Sequence, residues 1–362
     1  MKTIFMWGAG NVCRHFLQHL KKDLPVRGIV DRDPDLSHGT ICGVPIYAPV
    51  AVGAMNGLEI CHAGGEHIYP SPRDTVFVIT TYVYYISVKD YLESLGYETM
   101  FAYDLREYTD VDWSALCRVH YDVPWEKDHA KIREAHSILA DERSVEIFDA
   151  LLDKRKQCVY DCTDIRSEYP QYLEMDLISF CGDETIVDCG AFRGGGLRLF
   201  KEHLGSWKMF HCFEPDADNF RILQETCKAY ERTMPHCAAV GVYDGVAYFS
   251  QGANAGGELQ REEEAGQRIE VCRLDSLDLP EVTYVTADIE GSEMAMLEGA
   301  RRTIERCHPK LAVCVYHKAA DLWEIPLWLK SVNPAYRIYL RHYGETAVDT
   351  VAYALLPQQS FG

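Results

Sequence analysis

The sequence contains few features that indicate export or membrane insertion, and neither is expected. It has no long apolar run, and its opening residues MKTIFMWGAG contain no basic stretch, apolar stretch and cleavage site in that order. Its 14 cysteines, spread from Cys13 to Cys314, include no CxxC pair. This pattern is typical of reduced core thiols, so neither disulfides nor a metal site is expected. A cytoplasmic protein without a membrane partner is therefore predicted.

Basic residues are also few. Lys and Arg together number 36 against 55 Asp and Glu, which gives a formal net charge of -19. Such a chain repels phosphate backbones and anionic membrane surfaces, and no local basic patch is visible, so no nucleic-acid partner is expected. The hydrophobic fraction of 47% is ordinary for a globular protein, and 362 residues suggest two domains.

Residues 1–112 predict a small Rossmann-like domain. An apolar strand, Thr3–Trp7, leads into a glycine turn at residues 8–10 and then into a helix. A second strand, Val26–Val30, ends at Asp31, where a dinucleotide fold places its ribose-binding acid. The third glycine of that fingerprint is absent, because Cys13 occupies the position. A bound nucleotide and a lost ligand remain equal alternatives for this domain.

Residues 113–180 predict a helical connector. Within residues 128–155, one helical face is apolar, formed by Val145, Phe148, Leu151 and Leu152. Residues 160–172 are rich in Asp and Tyr and indicate a loop. A plain connector is preferred to a lid over the following domain.

Residues 181–357 predict a second α/β domain with a nucleoside-binding site. The strand at 185–189 contains Asp188 and is followed by Gly190 and by three glycines at residues 194–196. Glycines allow the backbone to bend sharply and approach a ligand closely. The next strand, near 208–214, ends on Glu214. Carboxylates at the carboxyl ends of parallel strands are well placed to accept hydrogen bonds from ribose hydroxyls.

The order of the remaining segments predicts the class I methyltransferase sheet. Further strands are expected near 236–240, 283–288 and 310–316, and a terminal hairpin is expected from 336–340 and 348–356. The result is a mostly parallel Rossmann-like sheet whose C-terminal strand is antiparallel.

Three residues are candidates for acid–base chemistry. Asp288 and Glu290 follow the fourth strand, and His317 follows the fifth, so all three belong to the same sheet edge. A structural role for His317 is an equal alternative. Glu293 is interpreted as an electrostatic stabiliser of its helix N-terminus. A divalent cation bound by Asp288 and Glu290 is the alternative, but the spacing offers no third ligand, so no metal is predicted.

The second domain resembles the FkbM family of S-adenosylmethionine-dependent methyltransferases between about residues 140 and 357. The resemblance rests on the following motifs: VDCGAFRGGG (187–196), FEPDADNF (213–220), AAVGVYDG (238–245), RLDSL (273–277), ADIEGSEMAMLEGA (287–300) and PKLAVCVYHK (309–318).

The resemblance implies S-adenosylmethionine as the cofactor and a set of binding residues. Asp188, Gly190 and the glycines after it would contact the methionine part, Glu214 the ribose, and the segment after the third strand the adenine. The implied cofactor-binding residues are Asp188, Gly190, Ala191, Phe192, Gly194, Gly195, Glu214, Pro215, Ala239 and Val240. Two positions depart from the family. Thr286 replaces the usual lysine near the reaction centre, and Phe192 replaces a small polar residue.

The first domain resembles the N-terminal domain of sugar-modifying acyltransferases, through WGAGN (7–11), VDRDP (30–34) and GVPI (43–46). Together the two resemblances imply O-methylation of a hydroxyl on a sugar, glycan precursor or secondary metabolite. The acceptor would be a small molecule or a glycan, and a homodimer is one expectation if the first domain serves assembly. The first alternative is a nucleotide- or sugar-nucleotide-binding protein, either NAD-linked and oxidoreductase-like or non-catalytic, that uses the first domain. The second is a module that binds the cofactor without turnover.

Overall fold

The computed structural model describes residues 2–21, 24–50, 58–81, 84–110, 125–157, 159, 161–249 and 267–360. The chain divides into two compact units, Met1–Arg118 and Val119–Gly362. The domain boundary predicted near residue 112 falls outside the described residues. Among the helices of the described ranges, none has the length and apolarity needed to cross a bilayer. All the cysteines within these ranges are free thiols.

The first unit is built around a sheet whose centre is parallel. Its strands are β1 (Thr3–Trp7), β2 (Val26–Val30), β3 (Thr40–Ile41), β4 (Val44–Val50), β5 (Glu59–Cys61), β6 (His67–Ile68), β7 (Thr75–Ile79) and β8 (Glu98–Phe101), and its helices are α1 (Asn11–Gln18) and α2 (Tyr85–Ser94). The order is β6-β5-β4-β2-β1-β7-β8, with β3 beside β4. The predicted strands β1 and β2 are confirmed, and the buried Phe16 and Cys13 attach α1 to the sheet.

The second unit contains the larger sheet. Its strands are β9 (Thr185–Cys189), β10 (Met209–Phe213), β11 (Thr233–His236), β12 (Ala239–Val240), β13 (Gly245–Phe249), β14 (Gln267–Cys272), β15 (Tyr284–Ala287), β16 (Lys310–Cys314), β17 (Arg337–His342) and β18 (Thr350–Leu355). Seven of them form one sheet in the order β11-β10-β9-β15-β16-β18-β17, and β12, β14 and β13 form a small separate sheet. Among the strands of the large sheet, β18 runs antiparallel to both neighbours. The predicted class I methyltransferase sheet is confirmed.

The reversed strand lies one position inside the sheet edge. The C-terminal hairpin inserts its second strand, β18, between β16 and β17. All six β18 residues are buried, as expected for a strand with neighbours on both sides. The predicted third strand near 236–240 is also split, because β11 joins the large sheet whereas β12 pairs with β14.

Helices cover both faces of the large sheet. The helices of the second unit are α3 (Trp125–Ser137), α4 (Glu142–Gln157), α5 (Gly195–Leu204), α6 (Ala217–Cys227), α7 (Glu293–Gly299), α8 (Arg301–Cys307) and α9 (Asp321–Val332). One core packs α4, α7, α8 and α9 against Val187, Val285 and Leu311. The other packs α5, α6 and the segment around residues 173–178 against Ile186 and Tyr284. Alternate residues of each central strand therefore serve opposite cores.

The helix α4 covers the edge strand β17 of the large sheet. Its Ser144 is fully buried, and Ser144 Oγ accepts a hydrogen bond of 2.9 Å from the backbone N–H of Leu340 in the edge strand β17. The same oxygen accepts a bond of 3.2 Å from the Arg341 guanidinium and donates to Asp141. Of the four residues predicted to form the apolar face of this helix, Phe148, Leu151 and Leu152 lie in the core, together with Ile147. The fourth, Val145, is only half-buried, because the inward face is turned toward Ile147.

Replacing Ser144 with Ala should destabilise the protein by about 1–3 kcal/mol, because the buried Leu340 N–H loses its acceptor. Urea unfolding followed by circular dichroism measures this loss. Ser137→Ala, at an exposed serine of α3, is the matched control and should change stability by less than about 0.5 kcal/mol. Equal effects of the two substitutions would mean that Ser144 does not support the edge strand.

Candidate active site

The pairing of β9 with β15 places two polar side chains side by side. In the parallel register Asp188 lies opposite Thr286, and both are buried. Thr286 Oγ1 donates a hydrogen bond of 2.8 Å to Asp188 Oδ1. Burial raises the pKa of Asp188 to about 6, and the hydrogen bond from Thr286 opposes that rise. Thr286, which stands where the resembled family has lysine, thus supports the carboxylate predicted to bind the cofactor.

The turn after β9 requires glycine at two positions. Gly190 has a φ of +92°, and a Cβ there would overlap the backbone carbonyl oxygen of Asp288. Its N–H and that of Ala191 both donate to Phe213 O, at 3.0 and 2.9 Å. Gly194, with a φ of +85°, precedes α5 and packs against Thr226. The ends of β9, β10 and β15 are therefore drawn together, which explains the glycine spacing.

Glu214 follows β10 at the same edge of the sheet. Its side chain is buried and accepts a hydrogen bond of 2.8 Å from the Asp216 N–H. Burial raises the pKa of Glu214 to about 7. The next residue, Pro215, is half-buried. Since Asp188 pairs with Cys212 of β10, the two acids lie at the ends of neighbouring parallel strands, as the sequence predicts.

The other predicted cofactor residues differ in exposure. Phe192 is 55% exposed with a φ of +48°, and the Arg193 guanidinium lies 4.9 Å from the centre of its ring. Gly195 opens α5. Ala239 and Val240 are buried, Ala239 in the core of the small sheet and Val240 in the core of the large one. The exposed ring of Phe192 is thus available to a ligand, whereas these two aliphatic side chains contribute to packing.

Asp288 directly follows β15 and lies at the carboxyl edge of the large sheet, where it is partly exposed. A third of its side chain, 33%, is exposed. Tyr172 donates its hydroxyl to Asp288 Oδ2 at 3.2 Å, and Tyr316 donates to Oδ1 at 3.0 Å. Burial among protein groups raises the pKa of Asp288, while His317 and the two hydroxyls counteract it. The carboxylate is therefore fixed by two tyrosines and still reachable from solvent.

His317, after β16, lies among three carboxylates. Its Nδ1 is 2.8 Å from Glu293 Oε1, and its Nε2 is 3.4 Å from Asp288 Oδ1 and 3.5 Å from Glu290 Oε2. Only 8% of the side chain is exposed. Although burial lowers the pKa of His317, the nearby Glu293, Asp288 and Glu290 raise it to about 9. The site thus strongly favours positive charge at this position, and the three predicted catalytic residues do lie together.

Glu293 is fully buried in the first turn of α7. Its Oε1 accepts a hydrogen bond of 2.9 Å from the Ile289 N–H and also contacts His317. The position agrees with the predicted stabilisation of the helix N-terminus. The contact with the imidazole adds a second task, which is to fix the orientation of His317.

The sequence did not reveal Tyr172 or Tyr316 as site residues. Tyr316 directly precedes His317, so its place at the end of β16 was a usable signal. Tyr172 ends the loop at residues 160–172, for which the sequence favours a plain connector rather than a lid over this domain, and its partner Asp288 is 116 positions away. In the structure this segment is bonded to the sheet, because Tyr284 donates its hydroxyl to Tyr172 O at 2.6 Å and Tyr353 accepts from Tyr172 N.

The first unit has its own glycine turn. Gly8 has a φ of +105°, and the Ala9 N–H donates to Asp31 Oδ2 at 2.7 Å, so Asp31 braces this turn. Thr80 Oγ1 donates to the carbonyls of Trp7 and Gly8. An open cavity of about 450 Å³ lies elsewhere, beside Thr3 and Thr75 at the amino ends of β1 and β7.

Residues 188–345 match the family model described as the methyltransferase FkbM domain. The matched range begins at Asp188 and includes Glu214, Asp288, Glu290 and His317. A search of curated proteins found no sequence that matches this chain.

A solved structure that aligns with almost the whole chain supports the fold. A methyltransferase FkbM from Methylobacillus flagellatus is 23% identical, with a TM-score of 0.65, and the alignment covers 98% of this chain and 90% of that one. An rRNA methylase from Streptococcus thermophilus is 11% identical (TM-score 0.33, covering 48% and 88%). Aeropyrum pernix fibrillarin, solved with natively bound S-adenosyl-L-methionine, is 11% identical (TM-score 0.32, covering 48% and 66%). At 23% identity the Methylobacillus flagellatus structure supports the fold alone.

Thr286→Val should destabilise the protein by about 1.5–3 kcal/mol at pH 7.5, because the buried Asp188 carboxylate loses a hydrogen bond that valine of similar shape cannot supply. Thr286→Ser keeps the hydroxyl and is the control, with a smaller loss expected. Urea unfolding of both variants measures the difference. If serine and valine cost the same, the methyl group rather than the hydrogen bond is what Thr286 provides.

Proposed function

We propose that this protein, whose residues 188–345 belong to the FkbM methyltransferase domain family, uses S-adenosylmethionine to methylate a hydroxyl group of a sugar, glycan precursor or secondary metabolite. The observation that supports this most directly is the position of Asp188 and Glu214. Both carboxylates lie at the carboxyl ends of the neighbouring parallel strands β9 and β10, on either side of the turn at Gly190, which only glycine permits.

The residues at this edge fit the cofactor. Glu214, directly after β10, supplies a carboxylate for ribose hydroxyls. Asp188 and the turn at Gly190 supply a carboxylate and an open backbone for the amino-acid part. The buried carboxylates also favour a ligand that brings positive charge. When bound, S-adenosylmethionine supplies a methyl carbon on a sulfonium: the acceptor oxygen forms the C–O bond as the C–S bond breaks and its electron pair stays on sulfur.

Asp288 is the proposed residue on the acceptor side. A hydroxyl acceptor loses its proton as it is methylated, and a fixed carboxylate within hydrogen-bond reach takes it. Asp288 is partly exposed and is oriented by the hydroxyls of Tyr172 and Tyr316. Glu290 is 42% exposed, and its Oε2 lies 3.5 Å from the same nitrogen of His317, Nε2, that Asp288 approaches, so it lines the same region. The chain's contribution is to position the acceptor, since in-line displacement depends chiefly on alignment.

The chemistry of the site and the charge of the chain support the proposed acceptor class. A cluster of carboxylates and tyrosine hydroxyls suits a neutral polyhydroxyl compound, which accepts and donates several hydrogen bonds. The net charge of -19 disfavours polyanionic acceptors. The sugar preference depends on the resemblance of the first unit to domains of sugar-modifying acyltransferases.

Titration calorimetry with S-adenosylhomocysteine tests the cofactor site. Saturable binding is expected at one site in the wild-type protein, and Glu214→Ala should weaken it by about 1.5–3 kcal/mol through loss of charge-assisted hydrogen bonds. Because the pKa of Glu214 is raised to about 7, its carboxylate is mostly protonated at pH 6 and ionised at pH 8. Wild-type affinity should therefore rise up to about tenfold between these values.

The control is Glu225→Gln, at an exposed acid of α6, which should keep both the affinity and its pH dependence. In Glu214→Ala most of the pH dependence should disappear. An unchanged affinity in that variant would remove Glu214 from the site, and the absence of any binding by the wild-type protein would refute the proposed function.

Asp288→Asn should lower the rate of methyl transfer on the order of 100-fold or more, while the affinity for S-adenosylhomocysteine changes little. Release of S-adenosylhomocysteine in the presence of a panel of sugar and glycan acceptors measures the rate, and calorimetry measures the affinity. Asp278→Asn, at an exposed position, is the matched control. Equal losses of rate and affinity would make Asp288 a cofactor ligand rather than an acceptor-side residue.

A further inference from the structure

The hairpin of β5 and β6, in the first unit, carries four polar side chains on one face. Cys61 lies directly opposite His67 in the antiparallel register. Glu59 is two residues before Cys61, and Tyr69 is two residues after His67, so the alternation of side chains along a strand places all four on the same side. The other side packs into the core of this unit through the buried Ile60. The hairpin thus brings a thiol, an imidazole, a carboxylate and a phenol together outside the core.

The imidazole of His67 lies between the carboxylate and the thiol. Its Nδ1 is 2.7 Å from Glu59 Oε1, and its Nε2 is 3.5 Å from Cys61 Sγ. Because an ionised carboxylate only accepts hydrogen bonds, Nδ1 carries the hydrogen of the neutral ring, and Nε2 presents its lone pair to the thiol. The order carboxylate, imidazole, thiol is that of catalytic triads with a cysteine nucleophile.

Glu59 is held in one orientation and in its ionised form. Tyr69 donates its hydroxyl to the same oxygen that contacts His67, Glu59 Oε1, at 2.8 Å. The hydrogen bonds from Tyr69 and His67 lower the pKa of Glu59. The carboxylate can therefore stabilise the positive charge that the ring gains when it takes a proton.

The thiol has two hydrogen-bond acceptors, and only one of them can remove its proton. Cys61 Sγ is 3.3 Å from the backbone carbonyl oxygen of His62 and 3.5 Å from His67 Nε2. A backbone carbonyl is not a base at neutral pH, so ionisation of the thiol transfers the proton to His67. Glu59 and Cys61 contact different nitrogens of the ring, which point away from each other, so the arrangement favours proton transfer over a shared metal ion. Cys61 is half-buried, as reactive cysteines usually are.

The hairpin also borders the open cavity of about 450 Å³ in this unit. His67 and Tyr69 line that cavity, together with Thr3, Ser71 and Thr75. Its volume lies within the range of small-molecule sites, roughly 300–1,000 Å³. His67 therefore lies beside both the thiol and a space large enough for a small molecule.

We propose that Cys61 is a nucleophile that accepts an acyl group from an activated acyl compound, such as a thioester, with His67 as its base and Glu59 as a positioning residue. The thiol proton passes to His67 Nε2 as Sγ forms a bond to the carbonyl carbon. The bond from that carbon to the leaving group breaks, the leaving group keeps the electron pair, and His67 returns the proton to it. A base that can return its proton suits esters and thioesters, whose leaving groups depart as anions. The product is an S-acyl cysteine, and its formation does not depend on the proposed methyl transfer.

Acetylation of the full-length protein by p-nitrophenyl acetate at pH 7 tests the proposal. Absorbance follows the release of p-nitrophenolate, and peptide mass spectrometry locates the acetyl group. Cys61 should be acetylated on the order of 10-fold faster than Cys42, because only a few per cent of an unassisted thiol is ionised at this pH. Cys42 is exposed and belongs to the same unit, so access alone would favour Cys42. Cys61→Ser should remove the fast release, and a Cys42 rate equal to or above that of Cys61 would overturn the proposal.

The role of His67 as a base has its own readout. His67→Gln should slow the reaction of Cys61 on the order of 10-fold at pH 7, whereas His19→Gln, at an exposed histidine of the same unit, should leave it unchanged. Alkylation by iodoacetamide, which forms an S–C bond and releases iodide, is then compared at pH 7 and at about pH 10, where thiols ionise without a base. The rates of His67→Gln and the wild type should converge at the higher pH. An unchanged rate at pH 7, or a loss that persists at the higher pH, would overturn the assignment of His67 as the base.

Two substitutions of Glu59 test the positioning role. Glu59→Ala should lower the rate of Cys61 acetylation severalfold at pH 7, because the imidazole loses the acceptor that fixes its orientation and its tautomer. Glu59→Gln keeps an acceptor oxygen at the same reach and should restore part of that loss. Equal rates in the two variants, or a wild-type rate in Glu59→Ala, would show that Glu59 does not act through His67.

Discussion

The site depends on the close approach of two turns, one after β9 and one after β15. The parallel register sets Asp188 against Thr286, and two residues later the chain at Gly190 meets the carbonyl of Asp288 with no room for a side chain. This contact brings Asp188 and Asp288, the carboxylates proposed to serve the cofactor and the acceptor, to one sheet edge. Because Gly190 also donates to Phe213 O, the end of β10, and with it Glu214, is fixed by the same turn. One glycine thus sets the spacing of the proposed reaction centre.

The second constraint is electrostatic. Asp188, Glu214 and Asp288 all have raised pKa values, chiefly because burial disfavours the ionised form. Such a group of acids is costly in the free protein and becomes favourable when positive charge is bound. A sulfonium cofactor beside Asp188 would relieve part of that cost. The proposed cofactor site therefore has a physical basis in an acidic sheet edge that a cationic ligand would stabilise.

The sequence predicted most of the second unit's fold and the neighbourhood of its site. Local sequence patterns predict the strand at 185–189, the acids that end the strands and the terminal hairpin. Such patterns depend only on residues that are close together in the chain. The split at 236–240 and the inner position of β18 could not be predicted, since strand order depends on pairing between distant segments. For the same reason the sequence could not predict the contact of Tyr172 with Asp288 or the contact of Glu293 with His317. Local pattern indicates which edge a residue occupies, but only the folded chain shows which side chains meet there.

The segment predicted as a connector belongs physically to the site. The match to the FkbM domain begins at Asp188, yet Tyr172 reaches Asp288 from before that point, and its backbone is bonded to Tyr284 and Tyr353 on two strands of the sheet. Ser144 of α4 satisfies the edge strand β17 in a similar way. The sheet edge that presents Asp288 is thus completed by residues on both sides of the matched range. The orientation of Asp288, proposed to face the acceptor, follows from the tertiary packing of this upstream segment as much as from the DIEG turn itself.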